Sequence, residues 1–228
     1  FLAAYSFFMA LVSMYTALKV ASASTVMPVI GAVSATATFV MSYLVLGNTF
    51  SVNVIFGISL LVFGTLMVST MHFRRGVVLH TVHSGIFFAL HYIALKGLFD
   101  ETSFDDGFFW SRIGFVLFAL SLLLVPAYWS NIKGQTKNTT RKGGMFVVGT
   151  KVLAGIAAFM LLKATDWGDV AVVQALDGLK FVFIVLLGIL FGRYIPKTAG
   201  ENDHSSGAII KKVLYVSIIS IGFVILFI

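Results

Sequence analysis

Asp177 and Lys180 stand three residues apart in the stretch QALDGLKFVF, inside a run that is otherwise free of charge. That interval puts two side chains on one helical face, close enough to pair. Ionisable groups at membrane depth are costly and mark functional positions by default. Two readings follow: a central pair that binds a polar solute or titrates during coupling, or an ion pair that locks two helices. Gln174, three residues earlier, extends the same face. Lys151 interrupts VVGTKVLAG and would anchor an anionic solute or balance Asp177. With both lysines charged the centre is net positive, which tilts the solute towards anions or zwitterions. His91, next to Tyr92, is a cavity-lining candidate or an interhelical hydrogen-bonding histidine. Tyr5, Ser13 and Tyr15 offer hydroxyls to a lining or to helix contacts. His80-x-x-His83 supplies half a metal site without a third or fourth ligand at convincing spacing, so no metal and no other cofactor is expected. No His-Glu-x-x-His, Gly-x-Ser-x-Gly or phosphate-cradling loop occurs, so no enzyme is expected either.

The elements that position these residues are apolar spans. Apolar residues make up 59% of the 228 and charged residues 11%, where a soluble domain carries roughly 25% charged. Eight stretches lie near membrane-crossing length: Phe1–Leu18, Thr25–Leu46, Val52–Met71, Val78–Leu98, Phe108–Trp129, Met145–Leu162, Val170–Phe191 and Ile209–Ile228. Their length, and the lack of alternation in runs such as Phe181–Phe191, predict an all-α integral membrane bundle rather than a barrel. The first span has neither a basic flank nor a cleavage site and reads as a span, not a signal peptide. With no cysteine, disulfide and thiolate chemistry are excluded.

The net charge of +7 sorts by side. Loops after spans one, three, five and seven hold Lys19, Arg74, Arg75, Lys133, Arg141, Lys142, Arg193 and Lys197, among others. The opposite face holds only Lys96, Arg112 and Lys163 beside Asp100, Glu101, Asp105, Asp106, Asp166 and Asp169. The positive-inside rule then predicts a multi-pass protein of the plasma (cytoplasmic) membrane with Ile228 outside; no nucleic acid partner is implied. Trp110, Trp129 and Trp167 fall at span ends, where interfacial aromatics belong.

TALKVASASTVMP at 16–28 parallels MLLKATDWGDVAV at 160–172, matching Lys19 to Lys163. VLGN at 45–48 parallels LFGR at 190–193, and Gly64 parallels Gly222. Copies offset by five helices are upside-down to each other, the signature of inverted-repeat transporters with a site at the repeat interface. Spans four and five have no match upstream of Phe1, which predicts a fragment of a ten-helix, five-plus-five parent lacking two N-terminal helices. Residues 1–76 would then close the first repeat and 77–228 form the second.

The segment 21–69 resembles the second half of a repeat of the EamA family of the drug/metabolite transporter superfamily, with Pro28, Leu46, Gly47, Asn48, Gly57 and Gly64 in the family's places. The family usually has Glu where this chain has Asn48 and Arg193; the second half lacks a Pro near 173 and carries a polar insertion at 196–208. The resemblance implies ten helices, alternating access and movement of small metabolites. The expectation is therefore a secondary transporter whose partners are a small solute and membrane lipid, with Asp177, Lys180, Gln174, Lys151 and His91 lining its cavity. The rivals are a flippase for a lipid-linked sugar or other amphiphile, an intramembrane enzyme and a non-transporting scaffold.

Overall fold

The computed structural model describes residues 1–21, 23–68, 75–126, 140–180, 183 and 206–226. Among the described residues there are eight helices: α1 (Leu2–Leu18), α2 (Ala23–Val45), α3 (Val52–Val68), α4 (Arg75–Glu101), α5 (Phe104–Leu122), α6 (Arg141–Trp167), α7 (Val170–Leu176) and α8 (Ser206–Ile225). Among the described residues there is no strand. Val26–Val45, Val77–Glu101 and Gly143–Trp167 are long and apolar enough to cross a membrane. Leu2–Leu18 and Val52–Met67 are apolar but shorter, at the lower limit for a span. α5 carries Asp105, Asp106 and Arg112 within its 19 residues.

Several boundaries move from their expected places, each for a local reason. The expected loop 99–107 shrinks to Thr102 and Ser103, because the Ser103 hydroxyl oxygen accepts the Asp106 N–H at 3.1 Å and starts α5 there. Asp105 and Asp106 then stand in the first turn, where the helix dipole favours acids. Thr140 caps α6 by accepting the Gly143 N–H at 3.2 Å, so α6 runs 27 residues rather than starting at Met145. Thr140, the last residue of the glycosylation-like Asn138-Thr139-Thr140, is thus a helix cap; Asn138 and Thr139 lie outside the described residues.

The seventh span departs most. α7 begins where Asp169 caps the Ala171 and Val172 N–H groups at 2.7 and 3.4 Å. It stops at Leu176, and Asp177–Gly178 form a turn. There the Gly178 N–H bonds Ala175 O and the Lys180 N–H bonds Asp177 O, both three residues back. Beyond Lys180 the expected span to Phe191 lies outside the described residues, save Phe183.

Small residues set the packing, as expected where lipid removes the hydrophobic drive between helices. α4 lies against α1 and α2, and α2 also packs on α3 and α7. Ala35, Ile58, Leu61, Ala171, Ala175 and Ile219 form the core where α2, α3, α7 and α8 meet. A Cβ on Gly85 would stand 3.0 Å from Ile30 O, so glycine permits the α2–α4 approach.

α3 and α8 pack antiparallel: positions Gly57, Leu61 and Gly64 face Leu226, Gly222 and Ile219 in reverse order. In the terms of the repeat expected from the sequence, this contact pairs like positions. Gly64 meets Ile219 and its counterpart Gly222 meets Leu61, with the same three-residue interval in each copy. α2 and α7, the other matched pair, also touch, and run antiparallel from Asn48–Asp169 at one end to Gly31–Gly178 near the other.

Candidate functional site

Polar side chains collect where α4 approaches α7, around the Asp177–Gly178 turn. Asp177 pairs with Lys180, as the three-residue spacing predicts. Both remain open, with 29% and 43% of their side-chain surface exposed. That is the feature that separates them from a sealed interior ion pair. Gln174 is buried, and among the described residues Tyr92 is the side chain that reaches it. Tyr92 comes across from α4 and lies within electrostatic range of Asp177. Ser34 and Thr38, one turn apart on α2, are likewise buried with unpartnered hydroxyls. Unsatisfied buried donors are rare in folded proteins and call for an explanation.

The space beside Gln174 is small. Gly31, Ala35, Thr65, Gln174 and Gly178 enclose a void of about 10 Å³, about one water in size. A larger groove of about 410 Å³ adjoins it through Ala32 and Val62, lined by α2, α3 and α4 through residues such as Val40, Leu66 and Ile86. Its wall is almost wholly apolar and suits an acyl chain, not a polar solute.

His91 is buried, and its Nδ1 lies 2.9 Å from Ala3 O. A carbonyl only accepts, so in the neutral ring the N–H sits on Nδ1 and Nε2 carries the lone pair. The ring is walled by Phe7, Tyr92 and Phe115 at centroid distances of 5.1, 4.9 and 5.6 Å. His83 is engaged differently: its Nδ1 meets Ser13 Oγ at 2.6 Å, which accounts for Ser13 as a helix contact between α1 and α4. Among the described residues no group of three metal-ligating side chains converges.

Lys151 stands apart from Asp177. It is exposed on α6, and among the described residues it forms no ion pair. It falls on one helical face with Gly155, Ala158, Leu162 and Thr165, and the last two are buried. Lys151 therefore shares the inward stripe of α6, but no described helix covers that stretch.

Two features escape the sequence criterion. Arg112 lies four residues inside the expected fifth span, close enough to its end to be sorted with the outer-face charges; applying to it the depth test used for Lys151 would have found it. In the fold its guanidinium carbon sits 5.1 Å from the Phe108 ring centre and 4.7 Å from that of Phe115. Asn48 is the second. Its Nδ2 donates to Ser42 Oγ at 2.9 Å and to Asp169 Oδ2 at 2.7 Å, clasping the end of α2 to the start of α7. Gly47 turns the chain into that clasp at φ +69°, a conformation glycine adopts freely.

At one end of the bundle Lys96 pairs with Asp100 at 2.9 Å and donates to Asp166 O at 3.1 Å, while Lys163 pairs with Asp166 at 2.9 Å. These are the mixed-charge residues assigned to a single face by charge sorting. No family model matches the chain, and no curated protein or solved structure does.

Proposed function

We propose that this protein is a secondary transporter of the EamA kind, moving small polar metabolites across the plasma membrane by rocking two inverted halves of a ten-helix bundle. The observation that carries this reading is the symmetric α3–α8 contact, in which Gly64–Ile219 and Gly222–Leu61 are counterparts. Inverted halves meeting about such an axis are the architecture of alternating access, and their binding sites sit at discontinuous helices near the midplane. The helix tightens locally at Asp177–Gly178, about 12 Å along the seventh span at 1.5 Å per residue, before Leu179 and Lys180 resume it. A local irregularity there suits this reading.

The ten-helix part of the proposal rests on α6. Only 6% of its apolar window is buried, against 44% and 39% for the other two full-length spans. A helix seated on α6 as α4 sits on α1 would complete the symmetry and enclose Lys151.

A second reading, a non-transporting membrane scaffold, is favoured by the pairing of Asp177 with Lys180 and by the void of about 10 Å³ beside Gln174. One assay separates the two. The full-length protein is reconstituted in proteoliposomes holding a pH-sensitive dye and given amino acids, sugars, nucleosides and organic acids in turn. Solute-dependent proton movement that Asp177→Asn abolishes is the expected result. If no solute moves by this assay or by radiolabelled counterflow, the scaffold reading stands.

A further inference from the structure

We propose that Arg112 is the anchor of a binding site for an organic carboxylate with a compact apolar body, a role that rests on the transporter reading for its purpose but not for its chemistry. Arg112 stands eight residues past Phe104, the start of α5, roughly 12 Å along the helix. Its guanidinium is bracketed by Phe108 one turn before it and Phe115 one turn after it, and it lies nearer the deeper ring. A side chain snorkelling to the headgroups would run past Phe108 towards the mixed-charge end. This one does not.

The charge is also unspent. Among the described residues the three ion pairs join Lys96, Lys163 and Lys180 to their own acids, and none includes Arg112. Among the described residues it makes one long polar contact, Nε to Ser111 Oγ at 3.4 Å, and that hydroxyl is occupied in donating to Phe108 O at 2.8 Å. An arginine one turn inside an apolar span, half-buried and without a carboxylate, keeps a charge it has not neutralised. It is also the side chain whose planar fork matches a carboxylate in two parallel hydrogen bonds.

The surroundings specify the rest of the ligand. Phe7, Phe108 and Phe115 give an apolar wall; Phe7 and Phe115 face each other at 5.3 Å. Tyr92 lies near Arg112, and the Gln174 side chain sits against Tyr92 on the other side. Donors thus run from Arg112 through Tyr92 to Gln174, while the Asp177 carboxylate is matched by Lys180. Such a row receives an oxyanion at its Arg112 end and an apolar body along the rings.

The test compares benzoate with benzylamine, which share a ring and differ in charge. Thermal unfolding of the detergent-purified full-length protein is followed against each probe, and against a short-chain phosphatidylglycerol. Benzoate should raise the unfolding temperature and benzylamine should not. Arg112→Gln should raise the half-saturating benzoate concentration by about tenfold or more, as expected for loss of a charge-assisted hydrogen-bond pair. The exposed control Lys19→Gln should leave it unchanged. If Arg112→Gln does not fold, Arg112→Lys decides: it keeps the charge and loses the fork, so binding should weaken several-fold. An unaltered benzoate midpoint in the folded variant, equal stabilisation by benzylamine, or stabilisation by the phospholipid alone overturns the proposal. Proteoliposome flux separates its fate from that of the transporter reading. Benzoate bound through Arg112 but never moved removes transport and keeps the site; solute moved equally by Arg112→Gln keeps transport and removes the site.

Discussion

α1 and α6, which the proposed repeat aligns through Lys19 and Lys163, live in different surroundings. On α1 the stripe Ser6, Ala10, Ser13 and Ala17 is buried against α4, so closely that Ser84 Oγ donates to Ala10 O at 2.9 Å. On α6 the matching stripe reads Thr150, Ala154, Ala157 and Leu161, and its first three residues are exposed. Lipid imposes no preference for small residues, whereas helix interfaces do. On the ten-helix proposal, the stripe on α6 is where a further helix would pack.

Enlarging each stripe is the sharpest way to break that comparison. Ala10→Leu forces a side chain into the α1–α4 contact and should cost about 1–3 kcal/mol or more through overpacking, read as a lower unfolding temperature and lower folded yield. Ala154→Leu should be nearly silent in the 228-residue chain and as damaging as Ala10→Leu in a full-length protein whose α6 is covered. If Ala154→Leu is silent in both, α6 faces lipid and the ten-helix proposal is wrong.

The second comparison lies within the α3–α8 axis. A Cβ on Gly64 would meet Ile219 N at 3.2 Å, and one on Gly222 would meet Leu61 N at 3.0 Å. Gly64→Ala and Gly222→Ala should each destabilise by about 1–3 kcal/mol, and by similar amounts, because the contacts are counterparts. A large inequality between the two would argue against the symmetry itself.

These cases also show how far the sequence reaches. Helical class is legible because hydropathy over 20 residues is a local property. The Asp177–Lys180 pair is legible for the same reason. What faces what is not. Asn48 and Asp169 are 121 positions apart, and nothing in either neighbourhood names the other. The irregularity at Gly178 is hidden because a glycine inside an apolar run fits a continuous helix equally well. Arg112 stays ambiguous because a cation one turn inside a span reads as a snorkelling end residue until the fold shows two rings around it.

The Asn48 clasp offers a smaller effect on the same theme. Asn48→Ala removes bonds to Ser42 and Asp169 at the junction of α2 with α7, and should cost about 1–2 kcal/mol. Asn48→Asp should be worse, since it sets a carboxylate beside that of Asp169. An Asn48→Asp variant as stable as the parent would show that the clasp does not hold the two halves together.

The smallest change makes α1 more like α6. Where α6 has Ala157, α1 has Ser13, whose hydroxyl meets His83 Nδ1 at 2.6 Å. Ser13→Ala removes that bond and leaves a partly buried ring nitrogen without it, at a cost of about 0.5–1.5 kcal/mol. The small stripe itself is preserved, so packing of α1 on α4 should hold while the unfolding temperature falls slightly. Adding His83→Phe tests the account, because replacing both partners by apolar groups should recover part of the loss. If the double variant is no better than Ser13→Ala alone, the bond is incidental and the stripe alone makes the interface, as it would have to on α6.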